Sequence, residues 1–453
     1  MNVTTPRLAL ATGPIYRLAL ALTLALAGLI ASPWIARTQP PQGRADLPPE
    51  VQTKLKKAAA YAEIARRKGV SAELRDAFTD LDRALKRSRT EPAVPPERPA
   101  KTTQPPRLTS QAIDRLVDQV IQTALKEGTP DLAPITNDVA FLKRVYLDLV
   151  GAPPSVEVID QFLADSSPDK RQHVIDALLD QPEFARNFAR IWRDVIISRA
   201  TNPQRRQFRP DLLEQWFFEQ VRDNATWDEI ATRLITAKGT ATDNGPANFV
   251  IAQSGDPVEL TGEVSRLFMG LQIQCAQCHD HPYDSWKREQ FHEVAAFFAG
   301  VRGRPIFDAD TGRLQFHVEE RGRPVYEMPD LKNPEMSHSV TPRFSLLGEG
   351  DELDPRLETH QRRELLASYV VGQDNPWFAR AFVNRVWGDL MGDPFVAPID
   401  DLGPEKTVQG EAVFEAVADA WRQGGYDIRW LYRTLMNTQL YQRESRAIES
   451  QSD

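Results

Sequence analysis

Cysteine is nearly absent from this chain: 453 residues contain two, Cys275 and Cys278. Small secreted proteins stapled by disulfides carry many more, so that class is excluded. A basic excess is also lacking. The formal net charge is −8, whereas nucleic-acid-binding domains concentrate lysine and arginine, so no nucleic-acid partner is expected. Histidine is scarce at seven residues and methionine at six, which leaves few side chains from which to build a metal site. Internal repeats are absent. Proline is not scarce: there are 34, clustered at segment boundaries rather than spread evenly.

One long apolar run exists. Arg7 and Arg17 precede LALALTLALAGLIASPWI, from Leu18 to Ile35, at the lower limit for a membrane-spanning helix. A removable signal peptide needs small residues at the last and third-last positions before the cut. Cuts after Ala31, Ser32 or Ala36 put Leu29, Ile30 or Trp34 at the third-last place. The reading adopted is a signal anchor over 1–36 that stays in the inner membrane, with a removed signal as the alternative. Either way the rest is translocated, which gives an extracytoplasmic, periplasmic location.

Residues 37–107 read as proline-rich linkers around a helical stalk, in which Val51, Leu55, Ala58 and Ala62 recur near the helical period. A helical domain is expected over 108–300. Ile113, Val117 and Val120 mark its first helix. Asn137 caps a helix bearing Leu142, Val145 and Leu149, which Gly151 stops. Ser167-Pro168 is expected to start another, and Pro182 opens one through Phe184, Phe188 and Trp192. Thr226 and Glu229 form a capping box, and a helix from Glu259 is expected to lead to Cys275. Asp284 or Ser285 should cap the next helix. Residues 301–358 read as a connector, with GRLQFHV and PVYEMPD pairing as a β-hairpin and loop beyond. Helices resume in a shorter domain over 359–453, with caps at Asn375 and Asp427. The fold class is therefore mainly α: a multi-helical domain, a small β-hairpin insertion, a second shorter helical domain, and an N-terminal membrane helix and stalk.

Both cysteines fall in Cys275-Ala-Gln-Cys278-His279-Asp280-His281. Cys-x-x-Cys-His is the attachment sequence of c-type haem. Each thiol adds across one haem vinyl group, and two intervening residues in a turn bring both sulfurs within reach of neighbouring vinyls. His279 then serves as the proximal iron ligand. By composition alone this arrangement arises roughly once in ten thousand such sequences. Other chemistry remains open. Cys275, Cys278, His281 and either His279 or His292 make a Cys₂His₂ zinc set, and a disulfide or an unliganded structural turn is the third reading. His281 could also bond a haem propionate or cap the next helix. Met269, Met328, Met336, His317 and His338 are the candidates for a sixth iron ligand. Asp400-Asp401 and Asn384-Arg385 are polar pairs in apolar surroundings. A carboxylate pair suits acid/base or metal-assisted hydrolysis, while a loop carboxylate bridging to Arg385 is the blander alternative.

Three stretches together resemble a known pair of domains: FLKRVYLDLVGAPPS, then CAQCHDHPYDSWKREQFHEVAAFFAG, then NPWFARAFVNRVWGDLMG with PIDDLGP and RTLMNTQLYQRES. The chain resembles the paired planctomycete domains of unknown function, a cytochrome-like domain followed by its C-terminal companion, over about 108–300 and 360–446. The resemblance implies an exported, mostly helical protein whose Cys-x-x-Cys-His element is Cys275, Cys278 and His279, and it implies no particular reaction. A further cytochrome domain often precedes this pair in relatives, and the companion here reads as truncated soon after Arg443. The function expected is a membrane-tethered mono-haem c-type protein acting in electron transfer or as the redox subunit of an extracytoplasmic complex. The alternatives are an envelope structural or interaction protein whose site binds zinc or only braces a turn, and a metal-assisted hydrolase using Asp400 or Asp401.

Overall fold

A computed structural model describes residues 108–124, 133–202, 208–308, 313–333, 335–348, 350 and 352–445. The expected anchor over 1–36 and stalk over 37–107 lie outside the described residues. Among the described residues no helix is long and apolar enough to cross a membrane. The structure is mainly helical with small antiparallel sheets.

Local sequence signals set most helix ends. In α1 (Ser110–Ala124) the apolar stripe buries Ile113. Asn137 accepts a hydrogen bond from Ala140 N at 2.9 Å and starts α2 (Asp138–Val150), which Gly151 ends in a left-handed turn. Then follow α3 (Val156–Ala164), α4 (Lys170–Asp180), α5 (Pro182–Ile197), α6 (Pro210–Arg222) and α7 (Trp227–Ile235). Pro182 and Pro210 stand at first-turn positions, where their missing N–H is no loss. The start expected at Ser167-Pro168 lies two residues later, with Asp169 as the cap residue: the Ser167 hydroxyl donates to Asp169 Oδ1 instead of capping.

The expected hairpin is corrected. GRLQFHV and PVYEMPD are both strands, but they do not pair with each other. β3 (Arg313–Glu320) pairs antiparallel with β2 (Val301–Asp308) in an unbroken register from Val301 opposite Glu320 to Asp308 opposite Arg313. β1 (Gly239–Thr240) closes its other side. β4 (Tyr326–Pro329) pairs instead with β5 (Ser337–Val340), inside the stretch read as loop. Gly303 and Pro305 hid β2, since both weaken a strand signal. Pro305 is tolerated because β2 is the sheet edge.

The later helices are α8 (Ala247–Ala252), α9 (Pro257–Met269), α10 (Arg288–Ala295), α11 (Thr359–Val371), α12 (Pro376–Met391), α13 (Glu411–Gln423), α14 (Ile428–Met436) and α15 (Gln439–Gln442). Asn375 and Asp427 cap α12 and α14 as expected, while Leu440 belongs to a separate turn capped by Thr438.

One apolar core runs through the residues before and after the connector. Its centre is aromatic. Trp192 and Trp227 lie 4.2 Å apart between ring centroids, Trp227 and Phe382 4.7 Å, and Phe382 stacks on Trp421 at 4.6 Å. Burying one such ring removes roughly 150–250 Å² from water, or about 4–6 kcal/mol of transfer free energy before conformational costs. That outweighs the exposed ion pairs, each worth at most about 1 kcal/mol. Arg363 is fully buried and ties α11 down: its guanidinium donates to Ile235 O and Ala237 O at 2.6 and 2.8 Å and pairs with Glu320 at 2.9 Å.

Candidate functional site

The motif is delivered by α9, which is buried nearly all round. This helix does not run on to Cys275. Asp256 caps it, Gly270 ends it at φ 64°, and a short 3-10 turn (Ile273–Gln277) carries the first cysteine. Gly270 is required twice over. Its backbone is left-handed, and a Cβ there would collide with Leu402 Cδ1. Leu402 N donates to Gly270 O at 2.7 Å, so the loop after α12 grips the chain just ahead of the motif. Asp284, beyond the motif, meets the same loop: its carboxylate packs on Gly403, and a Cβ there would make that carboxylate shift.

Behind the motif, α10 braces the loop. His292 is 2% exposed, and its Nε2 lies 2.9 Å from Gln277 O. A carbonyl can only accept, so Nε2 carries the proton. Nδ1 then accepts from the Tyr326 hydroxyl at 2.9 Å, and the ring is neutral with both nitrogens satisfied. Burial, assisted by the Arg288 charge, lowers the His292 pKa, while its bond to Gln277 opposes the shift. Burial pushes the Tyr326 phenol up to about 12. Arg288 Nε adds a second bond to Gln277 O at 3.2 Å, and its Nη2 donates to Pro329 O at 2.7 Å. The expected cap at Asp284 or Ser285 is corrected: the helix starts at Arg288. Asp280 accepts from Arg288 N at 3.1 Å and pairs with Lys287 at 2.8 Å, so a residue of the motif itself stands at the helix start. The Lys287 and Arg288 N–H bonds hold the Asp280 carboxyl below its ordinary range. Asp284 Oδ1 instead accepts from its neighbour Ser285 N at 2.7 Å.

Cys275 and Cys278 are free and exposed; Cys275 lies in the middle of the 3-10 turn and Cys278 directly follows it. His279 is exposed, with Nδ1 2.7 Å from Asp280 O. By the same reasoning Nδ1 carries the proton, which leaves the Nε2 lone pair facing out. His281 has the opposite arrangement. Its Nδ1 accepts from Tyr283 N at 3.3 Å, so a neutral ring carries its proton on Nε2, and its backbone N–H is bonded to Trp286 O at 2.8 Å.

The residue types are those that haem c attachment uses: two exposed thiols three residues apart in sequence, then an imidazole whose Nδ1 is tied to a carbonyl. Cys275, Cys278 and His279 would hold the group. On the Cys275 side the neighbouring residues are Arg199, Gly262, Glu263, Arg266, Gln272 and Gln274. Of the candidates for a sixth ligand, Met328 lies buried on β4, the strand that contacts α10 through Tyr326 and Pro329. Met269 is buried at the end of α9, and Met336 is exposed. His338 pairs with Asp330 at 2.8 Å, and His317 is half-buried on β3. For zinc, His292 has both ring nitrogens occupied. Among the described residues no group of three or more His, Cys, Asp or Glu is arranged to hold an ion.

Asp400 has the bridging role. It lies between Arg385 and Arg266, the latter at 2.6 Å, and Arg266 grips Glu263 through two bonds at 2.6 and 2.9 Å. Burial raises the Glu263 pKa, and Arg266 pulls it back. Asp401 pairs with Lys406 at 2.6 Å. Asn384 exchanges hydrogen bonds with Val396 and also reaches Ile399 O, which clamps this loop.

Sequence reasoning missed the bracing role of His292, Arg288 and Tyr326. His292 shares a buried helix face with Phe291 and Ala295, a position that suits a satisfied core histidine better than a ligand.

Comparison with protein families places two matches in the same order as the two helical stretches. Residues 116–303 match a protein of unknown function (DUF1549) named PSCyt2, and residues 362–453 match a protein of unknown function (DUF1553) named PSD1. No curated protein and no solved structure matches.

Proposed function

We propose that this chain is an exported haem c protein, tethered at the inner membrane by its N-terminal segment, that passes electrons to a redox partner or serves as the redox subunit of an extracytoplasmic complex. The observation that carries the reading is the His279 ring, which follows Cys278 in the chain: Nδ1 donates to Asp280 O, and Nε2 makes no hydrogen bond among the described residues. Metal-ligating histidines use this arrangement, one nitrogen fixed by a carbonyl and the other turned to the metal. Haem attached there would supply one-electron chemistry. The chain's part is to hold the turn rigid through His292, Arg288 and Asp280, and to keep His281 in the other tautomer.

The bracing also favours a second reading. The loop is held by the protein's own groups, as a structural or interaction protein of the envelope would need. The test is a haem stain after denaturing electrophoresis, with a pyridine haemochrome spectrum, of protein made with a cytochrome c maturation system. Stain in wild type but not in Cys275→Ala/Cys278→Ala supports the haem reading. A colourless wild type overturns it, and metal analysis of that sample then separates zinc from a plain structural turn.

A further inference from the structure

Beside Cys275 lies a cavity of about 290 Å³. Its walls are Arg199, Glu263, Arg266, Gln272 and Gln274, with the Gly262 backbone between them, and no apolar side chain among them. The polar atoms of these side chains are the groups that could give a ligand its orientation. The volume sits at the lower limit for small-molecule sites, which suits a small ligand or one group of a larger one.

The charges decide what remains. Both Glu263 oxygens are taken by Arg266, and Arg266 is shared with Asp400, which also holds Arg385. Those four groups balance one another. Arg199 is left over: among the described residues it makes no ion pair and its side chain makes no hydrogen bond, and it is exposed at the rim. The Gln272 side chain is likewise without a partner among the described residues. Gln274 is engaged through its Nε2 to Glu259 at 3.3 Å. The cavity therefore offers one guanidinium that makes no ion pair among the described residues, its charge reaching Glu263 only through space, and one free amide. A guanidinium presents parallel N–H groups that match a carboxylate. A phosphate dianion is better met by a helix N-terminus and several positive charges, and the α9 residues here, Gly262 to Arg266, come from its middle and C-terminal half.

We infer that the cavity flanking Cys275 binds a small organic carboxylate, held by Arg199 and Gln272. Cys275 lines the cavity as well, so the binding test is made on protein free of haem and does not depend on the haem reading. The carboxylate site goes beyond the haem reading by giving the protein a small-molecule ligand of stated charge. The test is isothermal titration of the purified full-length protein with acetate and with succinate, and with phosphate and sulfate at matched ionic strength. Arg199→Gln should weaken carboxylate binding at least tenfold, and Arg199→Lys should recover part of it. Because Arg199 is exposed, both variants should melt with wild type, so a loss of binding is not a loss of fold. Three results overturn the inference: no carboxylate binding by wild type at millimolar concentration, equal affinity in Arg199→Gln, or preference for phosphate or sulfate over both carboxylates.

Discussion

His292 Nε2 donates to the carbonyl of Gln277, the second of the two residues between the cysteines of the motif, at 2.9 Å from inside the core. The motif turn is thus fastened at its middle, and its two thiols stay free on the outside. His292→Leu should leave Gln277 O with the Arg288 bond alone and the Tyr326 hydroxyl unpaired. A loss of about 1–3 kcal/mol is expected, read from urea denaturation.

The same residue sets a pH dependence. Its folded-state pKa is lowered, mainly by burial, so between the unfolded value of about 6.5 and the folded value the unfolded chain binds more protons. The contribution of His292 is therefore fully present above about pH 6.5 and is lost as pH falls through that window. Urea midpoints measured from pH 7.5 down to 5 should fall in wild type and fall less in His292→Gln. Parallel curves would refute the assignment.

Asp400 and Asp401 should behave differently despite being neighbours. Asp400 is 14% exposed between two arginines that are 7% and 11% exposed, so Asp400→Asn leaves nearly buried cations under-compensated and should cost about 3 kcal/mol. Asp401 has one partner, the lysine Lys406, so Asp401→Asn should cost at most about 1 kcal/mol. Equal losses would refute the bridging role of Asp400.

Gly403→Ala tests the contact between the motif segment and the loop after α12. The new Cβ falls on Asp284, a flexible side chain, and not on backbone. The single variant should be destabilised by about 1–3 kcal/mol, and Asp284→Ala should relieve most of that in the double variant. Gly270→Ala meets Leu402 and also has a left-handed backbone, so trimming Leu402 should rescue it only in part.

The two histidines of the motif should separate spectroscopically in haem-loaded protein. His279→Ala should keep the covalent haem while changing iron coordination, seen as a shifted and weakened Soret band. His281→Ala, whose Nδ1 is already bonded to Tyr283 N, should leave the spectrum in place. The reverse pattern would exchange their roles.

The helices were legible because their ends carry local chemistry: Asn137, Asn375 and Asp427 cap in sequence as they do in space. Strand pairing was not legible. The partners of β3 and β4 were set by long-range packing, and nothing in GRLQFHV or PVYEMPD says which neighbour each will take. At the site, the spacing of Cys275, Cys278 and His279 was legible, but the bracing by His292 was not, since its bond runs to a backbone carbonyl that any residue would offer. The Arg266–Asp400 bond spans 134 residues, so only the fold could pair them, although Arg385 was a visible partner for Asp400.

The first described helix is held by α14, near the end of the described chain. The Ser110 hydroxyl donates to Thr434 O at 2.7 Å, and Ile135 forms a β-bridge with Arg443. Topologically the chain is a closed loop, fastened by non-covalent bonds where its described ends meet. A protease cut within the surface connector, between β4 and α11, would then open the loop without parting its halves. The two fragments should migrate as one species until a denaturant dissolves the aromatic core they share, and separately expressed halves should find each other again.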